Sequence, residues 1–176
     1  IEGSIPIEAL ASKAPIYDRK WVKKKPLKKK FDLKDFKKIK IEDALIKILS
    51  SPNHSNKSWI TDQYDQSVMC DTAQKSGSDA AIIRVHNKDK AIAVSVDSSA
   101  NYCKSNPFTG GKQIVCENWR NLISVGAHPI AITNCLNFGN PENQEVMGEF
   151  AECLIGIKES CEYLDFPVVS GNVSFY

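Results

Sequence analysis

Apolar residues recur three and four apart in two stretches of the second half of the chain, and these define its strongest predicted elements. Over residues 111–125, Ile114, Val115, Trp119, Leu122 and Ile123 share one helical face, and Gly126 followed by Pro129 supplies a C-terminal stop. In the stretch opened by Asn140 and Pro141, Met147, Phe150, Leu154, Ile157, Cys161 and Leu164 repeat at helical spacing. Asn140 is the expected N-cap, Pro141 fits the first helical position, and Glu142 and Glu145 suit the positive end of the helix dipole. A shorter amphipathic helix is predicted over residues 42–51, with Ala44, Leu45 and Ile48 on one face and Pro52-Asn53 as its stop.

Between and after these helices the period shortens. Residues 66–71, 80–86 and 91–96 read as strands, and Asn87-Lys88-Asp89-Lys90 reads as the hairpin connection between the last two. A strand is predicted over residues 130–134, and another begins at Phe166-Pro167-Val168-Val169 and runs into Ser170-Gly171-Asn172. A β meander followed by alternating helices and strands predicts an α+β fold, a mixed β-sheet with helices on one face. Residues 1–40 contain Pro6, Pro15 and Pro26 and only short apolar groups, so they are expected to be an extended basic linker, with residues 41–176 forming the domain.

A chain of 176 residues with 42% hydrophobic and 25% charged residues matches one globular domain rather than a disordered or fibrous one. No apolar run approaches the roughly 18 residues that a membrane span needs, and the first residues lack a signal-peptide pattern, so a cytoplasmic chain with no membrane partner is expected. The missing initial Met and the final Val173-Ser174-Phe175-Tyr176 suggest a piece of something longer.

Charge is unevenly spread, +8 over residues 1–40 against −6 over the remainder. The excess lies in Lys23-Lys24-Lys25-Pro26-Leu27-Lys28-Lys29-Lys30 and the lysines up to Lys40. Such a run can grip phosphates, but it lacks Arg, has few aromatic residues and adjoins an acidic domain. A solvated linker with no nucleic-acid partner is the favoured reading. Six cysteines occur without a CxxC pair, which predicts free thiols rather than a zinc site or a disulfide framework. His54, His86 and His128 fall in or beside loops and show no partner pattern.

Neither a dinucleotide-binding GxGxxG nor a Walker phosphate loop occurs. Two other segments place Asn and Gly at expected strand ends. In Asn134-Cys135-Leu136-Asn137-Phe138-Gly139-Asn140-Pro141 a strand is expected to run into a turn and a capped helix, leaving N–H groups where an anion could sit. In Val169-Ser170-Gly171-Asn172-Val173-Ser174, Gly171 permits close backbone approach, Asn172 offers a neutral oxygen for Mg²⁺ and Ser174 a hydroxyl. On spacing alone, Asn and Gly that merely shape turns account for both segments equally well.

Taken together, Lys112-Gln113-Ile114-Val115-Cys116-Glu117-Asn118-Trp119-Arg120-Asn121, Gly126-Ala127-His128-Pro129, Leu136-Asn137-Phe138-Gly139-Asn140-Pro141 and Pro167-Val168-Val169-Ser170-Gly171-Asn172-Val173-Ser174 resemble the phosphoribosylformylglycinamidine synthase family. Upstream, Pro15-Ile16-Tyr17-Asp18-Arg19, Gln63-Tyr64-Asp65 and Asp97 followed by Asn101-Tyr102 agree in order, so the resemblance covers nearly all of the chain except the Lys-rich run. It implies the N-terminal, aminoimidazole-ribonucleotide-synthetase-like domain of the second half of a purine-biosynthesis ligase. In that family ATP activates the amide oxygen of formylglycinamide ribonucleotide, and glutamine-derived ammonia displaces phosphate to form an amidine.

The resemblance assigns ATP contacts to Asn134 and Gly171, a Mg²⁺ ligand to Asn172 and a substrate contact to Ser174. Asn134 stands where relatives often have Asp, so an amide here makes a neutral contact. Asp97, at an expected strand end, is a candidate Mg²⁺ ligand of an auxiliary nucleotide site, balanced against a turn-capping role. No catalytic residue is expected in this segment, because the family's histidine motif is replaced by Asp97-Ser98-Ser99-Ala100. The implied partners are the remaining synthetase domains and a glutaminase subunit or domain, and the chain is expected to self-associate through its sheet, burying Ile82, Ile92 and Val94 or their alternates. The alternatives are another ATP-using member of the superfamily and a nucleotide-binding or interaction module with a basic docking arm.

Overall fold

The computed structural model describes residues 3–25, 32, 34, 36 and 39–176. Most of the Lys-rich run, including Lys28, Lys29, Lys30, Lys37 and Lys38, lies outside the described residues.

Two long helices and a parallel strand pair carry the core. Helix α5 (Pro107–Ser124) packs on α6 (Gln144–Leu164), and β4 (Ile132–Phe138) and β5 (Val168–Phe175), joined by α6, pair in parallel. Before them come the one-turn α1 (Ile7–Leu10), α2 (Ile41–Leu49), α3 (Ser58–Thr61), strands β1 (Thr72–Gln74), β2 (Ala81–Arg84) and β3 (Ala91–Val94), and α4 (Ala100–Ser105). The strands are both parallel and antiparallel, as an α+β fold with a mixed pattern requires. Among the described residues they hydrogen-bond as two groups, the antiparallel β1-β2-β3 and the parallel β4-β5, rather than as one continuous sheet.

The buried cluster consists of Ala80, Val115, Leu122, Cys153, Ile157, Cys161 and Phe166, and Phe166 is wholly inaccessible. Helix α6 ends there: Asp165 takes the left-handed conformation at φ 49°, and the Phe166 N–H closes 2.9 Å onto the Cys161 carbonyl, swinging the Phe166 ring under the helix.

Several boundaries differ from those the sequence predicts, each for a local reason. Helix α5 begins at Pro107 rather than near residue 111, because the Asn106 side chain accepts the Thr109 N–H at 3.1 Å. Gly110 and Gly111 therefore lie inside the helix. A Cβ at 110 would stand 2.5 Å from the Cys103 backbone nitrogen and one at 111 would stand 2.5 Å from the Cys153 carbonyl oxygen, so these glycines permit the α4–α5–α6 contact. Helix α6 is capped by Asn143, whose Oδ1 accepts the Glu145 and Val146 N–H groups, while Asn140 closes its own turn onto Glu142 N at 2.9 Å.

The strand expected over residues 66–71 is absent. Asp65 accepts both the N–H (2.8 Å) and the hydroxyl (2.5 Å) of Ser67, and a turn of 3-10 helix at Val68–Cys70 follows before β1 begins at Thr72.

The extended segment around residues 19–24 is docked on α6. Val22 N–H donates to the Gln144 carbonyl at 3.1 Å, and a Cβ at Gly148 would overlap the Val22 carbonyl. The buried Glu152 carboxylate accepts the Lys24 backbone N–H at 3.2 Å and pairs with the Lys23 ammonium at 3.5 Å, and Lys24 Nζ pairs with Glu149. Arg19 and Glu142 add a surface pair at 3.6 Å.

Candidate functional site

Strands β4 and β5 place the candidate residues. Their register sets Asn134 opposite Gly171, Cys135 opposite Asn172, Leu136 opposite Val173, Asn137 opposite Ser174 and Phe138 opposite Phe175. Because side chains alternate across a strand, Asn134, Leu136 and Phe138 share the α6-facing side with Gly171, Val173 and Phe175. Phe150 of α6 locks this side by edge-on ring contacts with Phe138 (5.2 Å) and Phe175 (5.1 Å).

On that side the Asn134 side chain lies directly over Gly171, filling the space a Cβ would take. It also lines a cavity of about 520 Å³ between β4 and α6, with Leu154, Ile157 and Lys158 on the helical wall. The opposite, open side carries a polar row. Asn172 Nδ2 donates to Ser174 Oγ at 3.0 Å, and beside them Asn137 Nδ2 donates to the Cys135 carbonyl at 3.3 Å. The pairing turns Asn172 Oδ1 away from Ser174, and among the described residues it accepts no hydrogen bond.

The strand, turn and capped helix expected after residue 134 form, with β4 ending at Phe138 and α6 starting at Gln144 beyond a turn. Residues 134–138 and 170–174 lie inside β4 and β5, paired with each other, and the first free N–H groups of α6 are taken by Asn143. Parallel pairing, continuous from Thr133 opposite Ser170 onward after one register shift, holds these residues within the strands. The LNF and SGNVS motifs are strand-borne side chains, not loops.

Asp97 stands apart, just beyond β3. Its Oδ2 accepts Ser95 Oγ at 2.6 Å and Asn118 Nδ2 at 2.7 Å, and its Oδ1 accepts Asn121 Nδ2 at 2.7 Å. Asn118 and Asn121 are one turn apart on α5, so this carboxylate ties the end of the three-stranded sheet to the helix. No hydrogen bond joins Asp97 to the β4-β5 residues among those described. Nor does any group of three or more His, Cys, Asp and Glu side chains suited to a metal occur among the described residues. Asn172 Oδ1 and Ser174 Oγ are neutral oxygens that suit Mg²⁺ only as part of a shell completed by phosphate and water.

His86, expected to lack a partner, pairs its Nε2 with Asp71 Oδ1 at 2.6 Å on the surface, next to Arg84. The sequence reading also missed the approach of Cys103 and Cys153, from α4 and α6, to a sulfur separation of 3.9 Å. A signal for the Asp97 anchor was present in the i, i+3 spacing of Asn118 and Asn121. None existed for the cysteines, which are 50 positions apart.

Residues 77–176, more than half of the chain, match the family described as AIR synthase related protein, N-terminal domain. The chain belongs to this family. As an AIR-synthase-related domain it is 62% identical over 175 residues to the phosphoribosylformylglycinamidine synthase subunit PurL of Pelagibacter ubique, covering 99% of this chain and 24% of that protein. To the subunit of the same name from Rhodopseudomonas palustris it is 48% identical over 174 residues, again covering 99% of this chain and 24% of that protein. The domain thus spans about a quarter of the length of these relatives.

The solved structure of PurLQS from Thermotoga maritima superposes with a TM-score of 0.65 at 34% identity over 69% of this chain and 20% of that one. Thermotoga maritima PurL complexed with ATP gives a TM-score of 0.60 at 32% identity with the same coverage of both chains. The FGAR complex of that protein gives 0.60 at 34% identity, also over 69% of this chain and 20% of that one. No helix among the described residues is long and apolar enough to cross a membrane.

Proposed function

We propose that this chain is part of a cytoplasmic phosphoribosylformylglycinamidine synthase, an ATP-dependent carbon–nitrogen ligase of purine biosynthesis, and that it supplies nucleotide, Mg²⁺ and substrate contacts. The observation that carries this is the 62% identity to a PurL subunit along essentially the whole chain, which includes the LNFGNP and SGNVS motifs. The complexes of Thermotoga maritima PurL with ATP and with FGAR supply the ligand classes.

In this reading Asn134 and Gly171 contact the nucleotide, Asn172 Oδ1 contributes to the Mg²⁺ shell and Ser174 donates to the substrate. A loose phosphoryl-transfer transition state needs positioning and charge neutralisation, and the latter is what Mg²⁺ would supply when bound. This chain's part is to hold neutral oxygens on a rigid strand pair, and the acid-base group comes from elsewhere in the protein. Asp97 is the alternative Mg²⁺ ligand. Its three internal hydrogen bonds support the anchoring role instead.

Residues 41–176 form the domain of the second synthetase half and residues 1–40 link it to what precedes. The partners are the rest of the synthetase and a glutaminase. A second sheet packs on the three-stranded one, whose register puts Ile83, not Ile82, on the same face as Ile92 and Val94; all three are more than two-fifths exposed.

Calorimetric titration of the whole protein with Mg²⁺-ADP tests the site. Binding weakened at least tenfold by Asn172→Ala and unchanged by Asp97→Ala supports the assignment. The reverse result moves the metal to Asp97, and binding unaffected by either removes both from the site.

A further inference from the structure

Beyond the nucleotide site, two nucleophilic side chains meet without serving it. Cys103 lies on the six-residue helix α4 and is half-buried, whereas Cys153 is a core residue of α6 with 3% exposure. Their sulfurs stand 3.9 Å apart, against about 2.05 Å in a disulfide. The approach is enforced by backbone. Gly110 holds α5 against Cys103 and Gly111 holds it against the Cys153 carbonyl, so the two thiols sit across a contact that side-chain bulk would have opened. Among the other cysteines, Cys70 and Cys135 are exposed, and no sulfur contact joins either to another cysteine among the described residues.

We propose that Cys103 and Cys153 are a peroxide-oxidisable dithiol whose disulfide reversibly staples α4 to α6. The two thiols have unequal roles. Either sulfur can donate in this contact, but Cys103 is the one solvent reaches, and its hydrogen bond with Cys153 draws its thiol down to about 7, whereas the core Cys153 is pushed up by the same hydrogen bond and by desolvation. Cys103 is therefore the attacking thiolate and Cys153 the resolving thiol.

The co-reactant is a hydroperoxide. The Cys103 thiolate attacks the peroxide O–O bond, taking one oxygen as sulfenic acid and releasing hydroxide, which is protonated to water. Cys153 then gives up its proton as its sulfur displaces hydroxide from Cys103, forming the S–S bond and a second water. Two thiols are oxidised, one hydrogen peroxide is reduced, and a small thiol reductant reverses the change. The staple would fix α4, which begins three residues after the Asp97 anchor, to the helix that backs the β4-β5 pair.

The test is made on the whole protein treated with one equivalent of hydrogen peroxide, alkylated and mapped by tandem mass spectrometry. The expected product is a Cys103–Cys153 linked peptide two mass units below the sum of its parts, lost on reduction and still formed in Cys135→Ser. In Cys153→Ala the expected product is a Cys103 sulfenic acid captured by a dione probe. With wild-type protein alone, iodoacetamide labelling of Cys103 should have its midpoint near pH ~7 rather than the ~8.5 of a free thiol. A wild-type Cys103 that goes to sulfinic acid without the linked peptide, or peroxide that reacts first at Cys70 or Cys135, overturns the proposal.

Discussion

Gly171 and Asn134 share one rung of the parallel strand pair, and the amide of Asn134 occupies the volume that any β-carbon at position 171 would need. The backbone makes this contact unforgiving. Even with the Asn134 side chain rotated away, a Cβ at 171 would stand 2.8 Å from the Asn134 carbonyl oxygen. Gly171→Ala should therefore destabilise the protein by about 1–3 kcal/mol, as overpacking does. Urea unfolding checks it, and Asn134→Ala in the same background should recover only part of the loss.

The exposed Asn172 side chain hydrogen-bonds, among the described residues, only to Ser174. Its replacement by Ala should leave the unfolding midpoint within the roughly 0.5 kcal/mol typical of surface changes. Thermal melts with and without Mg²⁺-ADP give the decisive comparison: the ligand-induced rise should shrink in the variant while the ligand-free melt does not move.

Asp97 should behave in the opposite way. Removing a carboxylate that accepts three hydrogen bonds leaves the half-buried Asn121 amide without that acceptor and Asn118 with only the Ser95 carbonyl at 3.2 Å, so Asp97→Ala should cost about 1–3 kcal/mol. Hydrogen exchange should quicken in β3 and in the middle of α5, where the anchor joins them.

The strap around residues 19–24 offers a proteolytic readout. Gly148→Ala pushes a methyl into the Val22 carbonyl and Glu152→Ala leaves the Lys24 N–H without its acceptor. Both should raise the rate of tryptic cleavage at Lys23 and Lys24 severalfold, with little change in the far-ultraviolet circular dichroism of α5 and α6.

Asp65 provides a pH-dependent case. The hydroxyl and N–H of Ser67 hold its carboxyl below the usual aspartate range. A carboxyl depressed in the folded state contributes stability above its unfolded pKa of ~3.9, and that contribution is lost as pH falls through the lower folded value. Ser67→Ala should raise the Asp65 midpoint in a carbon-detected NMR titration, and the 65–67 turn should loosen below pH ~4 in the wild type.

Much of the helical layer was readable in the sequence because periodicity and burial coincide there. Val115 and Leu122 on α5, and Ile157 and Cys161 on α6, fall on the predicted faces and are buried. What periodicity could not supply was the second buried stripe of α6, Gly148, Glu152, Gly156 and Ser160, which is small or polar because it receives backbone. Gly156 admits the Phe108 carbonyl and Gly148 the strap, and neither contact leaves an apolar signature. Turn chemistry explains the failed strand over residues 66–71, where the Asp65–Ser67 bonds compete with extension. For the candidate site, the residues of the two motifs could be named, but the rungs they share appear only in the paired strands. Their division between the two sides of β4-β5 depends on register, which only the paired strands reveal.

The strap also has a consequence in time. Lys24 and its acceptor Glu152 are separated by 128 positions, so on a ribosome the strap emerges long before the helix that receives it. At roughly 5–20 residues per second that interval is on the order of ten seconds. Throughout it the Val22 N–H lacks the Gln144 carbonyl, so the strap docks only once α6 has been made.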